Sequence, residues 1–299
     1  MTAAFLDIGS NSIRYMRAAI EGGHFLCGKK RRVTARLAEG LLESGCISPA
    51  ALQRNLAAVL QFYQLAQGEG LALYAYATSA ARDARNREEF LAPLRDLPDF
   101  HLHLLSGEEE ARYAFLGAAR GRAGTLIDIG GGSAQICGAR AIGTDCNQPT
   151  ATSNFFAESF PIGCVRAKEC LGEINDLDVA YARIRDWVLP LLPRADTYTL
   201  SAPYYGVGGT ITTLGTILDT SLQTPIAPEN LYPLLRQLLD LGAGRAAHPL
   251  LRDRHDVIIP GGLVLMALLS HFRIPTLLPT HRDGLEGFAE EVLRDGNNK

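Results

Sequence analysis

Two short segments of this chain join an aspartate to a run of small residues, a combination suited to gripping an anion. Asp7-Ile-Gly-Ser-Asn-Ser12 follows the apolar stretch Ala3-Ala-Phe-Leu, and Asp128-Ile-Gly-Gly-Gly-Ser133 follows Thr125-Leu-Ile. Glycines let a backbone approach an anion closely, successive N–H groups form a concave nest, and a serine hydroxyl adds a donor. The aspartate can hold Mg²⁺ or a water bound to it, and the cation screens phosphate charge. Aligned from Phe5 and from Leu126, the two stretches keep Asp, Ile, Gly and Ser at the same places. One such turn alone reads equally well as a tight β-hairpin with a capping Asp. Two in register, about 120 residues apart, read as an internal repeat whose turns can face each other across an interdomain cleft.

Other candidates stand further along. Ser106-Gly-Glu-Glu-Glu-Ala-Arg112 opens a helix, with Ser106 and Glu109 as a capping box and Glu108 suited to the positive helix end. Glu110 is left over from that accounting, and Ala114 and Gly117 leave room beside a carboxylate on its face. Arg82, near a helix start, is either a surface arginine or a bidentate clamp for phosphate. Gly208 and Gly209, in Gly206-Val-Gly-Gly-Thr210, make a strand-to-helix turn that also permits close approach of a ligand to a helix N-terminus. Lys29-Lys-Arg-Arg32 is a solvated hairpin or a lure for a polyanion. No His-Glu-x-x-His set, serine nucleophile elbow or Cys–His pattern stands out.

The elements that must position these residues follow from turn signals and apolar periodicity. Strands are predicted at 3–8, 13–20 and 24–28, then a helix over 48–67 opened by Ser48 with Pro49 at its first position. A strand at 71–77, a helix from about 86, a strand at 99–105 and a helix from Ser106 complete the first part. After Gly121 the pattern restarts, with strands at 125–129 and 134–139, a polar loop at 143–154, and a strand-like Pro203–Gly206. Helices are expected over 165–172, 176–192, 210–219, 228–241 and 260–271. The 299 residues suit two domains of roughly 100–200 residues each, a first lobe at 1–121 and a second at 122–299.

Composition narrows the options. With 29 Lys+Arg against 32 Asp+Glu, the chain lacks the net basic face of a sequence-independent duplex binder. No run approaches the roughly 20 apolar residues of a membrane span, and the start lacks a secretory signal. Six cysteines form no C-x-x-C pair and read as scattered, mostly buried thiols of a reducing, cytoplasmic compartment. The oligomeric state is open, a homodimer among the options.

The two Asp-x-Gly segments resemble the paired phosphate loops of the exopolyphosphatase and guanosine pentaphosphate phosphatase (Ppx/GppA) family. The likeness continues, in family order, through Arg36-Leu-Ala-Glu-Gly40, Ala77-Thr-Ser-Ala-Ala-Arg82, Ser106–Arg112, Pro161-Ile-Gly163, Gly206–Thr210, Asp256-Val-Ile-Ile-Pro-Gly261 and Arg282-Asp-Gly284. It implies an α/β, actin-like (ribonuclease H-like) two-domain fold with an interdomain cleft, lacking the added helical domain of longer members. It also implies a metal-dependent hydrolase that removes the terminal phosphate from inorganic polyphosphate or guanosine pentaphosphate.

Carried over residue by residue, the resemblance makes Glu110 the general base that activates water, with Arg82 as the cationic clamp. Gly9, Ser10, Asn11, Ser12, Gly130, Gly131, Gly132 and Ser133 would hold phosphoryl oxygens, and Gly208 and Gly209 would line the site. Mg²⁺ or Mn²⁺ would be held by Asp7, Asp128 and residue 135. There the family usually places Glu, and this chain has Gln135, which keeps an oxygen donor but loses a charge. That departure motivates a rival reading, a non-catalytic or weakly active binder of guanosine alarmones or polyphosphate. A superfamily kinase using ATP is the other rival, since it shares the loops but would not need Glu110.

Overall fold

The N-terminal apolar run folds as β1 (Thr2–Ile8) and turns back through residues 9–12 into β2 (Ile13–Glu21). Gly22 and Gly23, at φ 57° and 81°, form the two-residue turn into β3 (His24–Cys27), since positive φ at both central residues matches the strand twist. β4 (Arg31–Val33) pairs with β2 beyond β3. After α1 (Leu41–Ser44) comes α2 (Pro49–Gly68), where Ser48 accepts from Ala51 N–H at 3.2 Å as an N-cap of that type should. β5 (Leu73–Ala77), α3 (Ser79–Asp83), α4 (Arg87–Arg95), β6 (Phe100–Leu104) and α5 (Gly107–Ala119) follow.

The pattern then repeats. β7 (Gly124–Ile129), β8 (Ala134–Ala139) and β9 (Phe155–Phe160) precede α6 (Cys164–Leu171) and α7 (Leu177–Val188). α7 is shorter than expected because Pro190, lacking an N–H, cannot continue it. β10 (Tyr204–Val207), α8 (Gly209–Leu218), α9 (Pro228–Asp240), α10 (Ile258–His271) and β11 (Leu278–Pro279) complete the repeat, and α11 (Gly284–Asn297) is the last described element. These elements belong to a computed structural model that describes residues 1–139, 155–251 and 253–297. The loop expected at 143–154 lies outside the described residues.

Two units result, Met1–Gly117 with Gly284–Lys299, and Ala118–Asp283. In the first the strand order is β3-β2-β1-β5-β6, and in the second β9-β8-β7-β10-β11. In each, three antiparallel strands are followed by two that join in parallel. The repeat seen in two turns therefore extends to a whole sheet, the actin-like (ribonuclease H-like) α/β arrangement made twice. Among the described residues, no helix is long and apolar enough to cross a membrane.

The division departs from 1–121 and 122–299 at both ends. Residues 118–121 fall in the second unit, and α11 rejoins the first. The cause is packing. Leu285, Phe288, Ala289 and Leu293 of α11 are buried with Ala3, Phe5, Met16 and Tyr76. Phe288 lies edge-on to Tyr76 at 5.1 Å and to Tyr113 at 5.3 Å. Burying a phenylalanine stabilises by about 2–3 kcal/mol, so this face holds the helix firmly. The other face of that sheet carries α2, with Tyr15 stacked on Phe62 at 5.2 Å. In the second unit α10 is buried from Ile258 to Leu269, as befits a helix that is apolar all round.

Candidate active site

Both Asp-x-Gly turns are hairpins of the same register. In the first unit Asp7 faces Arg14 and Ile8 faces Ile13 across β1 and β2. In the second, Asp128 faces Gln135 and Ile129 faces Ala134. Gly9 N–H donates to Ser12 O at 3.1 Å, and Gly130 N–H to Ser133 O at 2.9 Å. Those two amides are consumed inside their turns and are unavailable to a ligand. A Cβ on Gly9 would stand 2.9 Å from Ser12 O, which is why a glycine starts the turn.

The remaining amides are aimed by what the carbonyls do. In a planar trans peptide the C=O of one residue and the N–H of the next point opposite ways. Ser10 O accepts from Ala38 N–H at 2.9 Å and Asn11 O from Arg36 N–H at 3.0 Å, so the Asn11 and Ser12 N–H groups point away from that segment. In the second unit Gly130 O accepts from Cys164 N–H at 3.0 Å, and Gly131 O from Val165 N–H at 2.9 Å. The Gly131 and Gly132 N–H groups are thereby turned away from the start of α6. Gly163 makes this closeness feasible, because a Cβ there would come within 2.2 Å of Gly131 O. Each loop thus presents a small nest of amides.

The loop side chains divide differently. Ser10, buried, shares a 2.8 Å hydrogen bond with Ser79 Oγ and accepts from Ala80 N–H at 3.2 Å, so its hydroxyl ties the first loop to α3. Ser133 Oγ accepts from Gln135 Nε2 at 2.8 Å. Asn11 Oδ1 is buried with no hydrogen-bond partner.

Arg82 and Glu110 come together. β1, β5 and β6 run parallel, so the first loop, α3 and α5 all start at the carboxyl ends of neighbouring strands, where open α/β sheets bind ligands. Arg82 Nη1 donates to Leu105 O at 2.9 Å and to Glu110 Oε2 at 3.3 Å. The expected capping box is present, with Ser106 N–H to Glu109 Oε2 at 2.8 Å and Glu109 N–H to Ser106 Oγ at 3.2 Å. It leaves Glu110, 15% exposed in its side chain, turned to the guanidinium.

The two aspartates have unlike surroundings. Asp7, buried, accepts from Arg14 Nε at 2.7 Å and also from Arg14 Nη2. Asp128 faces the neutral Gln135, whose Nε2 is used by Ser133 and, at 3.3 Å, by Ser159 Oγ, while its Oε1 is buried and unpartnered. Burial, and then Asp128, push the Cys137 thiol well above its ordinary value, so it is no nucleophile. Gly208, at φ 88°, packs against the end of β7, where a Cβ would lie 2.5 Å from Asp128 Oδ1. Gly209 abuts the buried Arg254, whose Nη1 would be 1.8 Å from a Cβ. Arg14 and Arg254 were missed in the sequence. Folding the first hairpin on paper finds Arg14, but nothing local to Arg254 announces its burial.

Comparison with known proteins gives the family and the fold. The family model described as Ppx/GppA phosphatase family matches residues 18–286. The chain is 34% identical to Exopolyphosphatase 1 of Mycobacterium tuberculosis over 63% of this chain and 54% of that protein, so the match spans about half of that relative. It is 28% identical to Exopolyphosphatase 2 of the same species over 96% of this chain and 97% of that one. A solved exopolyphosphatase from Cytophaga hutchinsonii superposes with a TM-score of 0.83 at 17% identity, covering 99% and 98% of the two chains. A Ppx/GppA family member from Aquifex aeolicus gives 0.76 at 22% identity, covering 99% and 98%. At such identities these structures speak to the fold.

Proposed function

This chain belongs to the Ppx/GppA phosphatase family, and on that premise we propose that it hydrolyses phosphoanhydride bonds, releasing the terminal phosphate of inorganic polyphosphate or guanosine pentaphosphate. The Arg82–Glu110 pair at the carboxyl ends of β5 and β6, beside the first loop, carries the reading. Glu110 takes a proton from a water that attacks the terminal phosphorus. The bridging P–O bond breaks, and the shortened chain leaves with the bridging oxygen. Arg82 and the outward amides of the first loop neutralise charge on the phosphoryl oxygens.

The residues fit a hard cation in the second unit, where the Asp128 carboxylate and the orphaned Gln135 Oε1 are both oxygen donors. Bound Mg²⁺ or Mn²⁺ would screen phosphate charge. Asp7, also expected to share the ion, is held by Arg14, which competes with any metal for its carboxylate.

Phosphate release from polyphosphate and from guanosine pentaphosphate, side by side with a metal series, tests the proposal. Glu110→Ala is expected to lower turnover by about 10²–10⁴-fold while largely sparing binding; unchanged turnover removes Glu110 as the base. One observation favours a second reading. The neutral Gln135 weakens the metal site, and binding without turnover in ample Mg²⁺ or Mn²⁺ would identify a non-catalytic binder of those ligands.

A further inference from the structure

A basic cavity in the first unit lies outside the machinery above. β2 pairs with β3 up to Ala18↔Cys27 and with β4 from Tyr15↔Arg31. Between those pairs β2 has only Met16 and Arg17, whereas the opposite chain has Gly28, Lys29 and Lys30. One surplus residue makes a β-bulge, which bends the strand and re-aims its side chains. Gly28 N–H donates to Arg17 O at 2.8 Å and pins the bulge. The result is a cavity of about 390 Å³ lined by Tyr15, Arg17, Lys29, Lys30, Arg31 and Glu69, a volume within the range of roughly 300–1,000 Å³ usual for small ligands.

Its charge is unbalanced. Glu69 answers Arg17 at 3.4 Å, and Lys30 reaches Glu286 at 2.7 Å. Among the described residues, Lys29 and Arg31 make no ion pair. Arg31 shares a face with its cross-strand partner Tyr15. Tyr15 is buried, and its hydroxyl, near Glu69, makes no hydrogen bond of good geometry. Burial and Glu69 push that phenol up to about 12, so it remains a donor at neutral pH. Arg14, which holds Asp7, projects from the opposite face of β2, so this cavity is separate from the first loop.

We propose that the bulge cavity is a second anion site, which holds an inner stretch of a condensed phosphate chain away from the end being cleaved. The proposal rests on the phosphoanhydride reading. A site of this kind favours only ligands long enough to fill both places, because the second contact is then intramolecular.

The test is direct binding, so it does not depend on turnover. Titration calorimetry of the Glu110→Ala protein uses long-chain polyphosphate, tripolyphosphate and guanosine pentaphosphate, with and without Arg17→Glu plus Arg31→Glu. The pair should weaken long-chain binding by about tenfold or more and leave the two short ligands within about twofold. The slope of log affinity against log salt should fall by about one per cation removed. Lys29→Ala, on the exposed bulge, should act in the same direction if the double variant folds poorly. Unchanged long-chain affinity, or equal loss for all three ligands, overturns the proposal. So does equal loss in a charge-matched control, Arg185→Glu plus Arg194→Glu, or a loss seen with guanosine pentaphosphate alone. Phosphate release by the parent protein judges the hydrolytic reading separately.

Discussion

Arg14 and Gln135 hold the same place in the two repeats, each across its hairpin from the loop aspartate. A guanidinium there compensates Asp7, whereas an amide brings no charge to Asp128. The cation proposed above would accordingly sit in the second unit, on Asp128 and Gln135 Oε1. Glu at 135 would set a second carboxylate opposite Asp128 at a position only 2% exposed. Ser133 and Ser159 can adapt, since hydroxyls donate as readily as they accept. Without a cation, burial beside a like charge destabilises; with one, the same charges become ligands. Gln135→Glu should melt below the parent in EDTA and gain more in Tm on addition of Mg²⁺. Its phosphate-release titration should also shift to lower metal concentration. Superimposed titrations and equal Tm gains would place residue 135 away from the ion.

At the scale of elements, α11 is fastened to α5, the helix that carries Glu110. Gly287 permits the contact, because a Cβ would lie 2.1 Å from Tyr113 O. Arg112 then donates two hydrogen bonds to Glu291, at 2.5 and 2.6 Å, and Tyr113 a third at 2.9 Å. Burial opposes the charge on Glu291, but the Arg112 and Tyr113 hydrogen bonds outweigh it and hold the carboxyl below its ordinary 4.5. A folded-state value below the unfolded one contributes stability that is complete above pH 4.5 and is lost as pH falls through the folded value. Glu291→Gln should therefore cost about 1 kcal/mol at neutral pH. Urea midpoints followed into acid should show the difference from the parent shrinking below pH 4.5. A difference independent of pH would mean that the carboxylate contributes through shape alone.

For the molecule as a whole, what was legible in the sequence was local, and what was hidden was not. Asp-x-Gly turns and the Ser106–Glu109 cap are written within a few residues, so both loops and the start of α5 could be placed in advance. Arg82 meets Glu110 only because β5 and β6 lie side by side, which no short spacing reveals. Leu285, Phe288, Ala289, Val292 and Leu293 spell a helical stripe at intervals of three and four. The stripe does not say which sheet it covers, so position along the sequence alone assigns residues 284–299 to the second lobe, whereas the structure puts them in the first unit. Their true place has a measurable consequence, since each unit has its own core. Phe288→Ala should cost about 3–5 kcal/mol, and the loss should fall on the first unit, although the substitution lies near the end of the chain. Native-state hydrogen exchange should show β1, β2 and β5 losing protection while β7 and β10 keep theirs. Equal losses in both sheets would show that the two cores unfold as one.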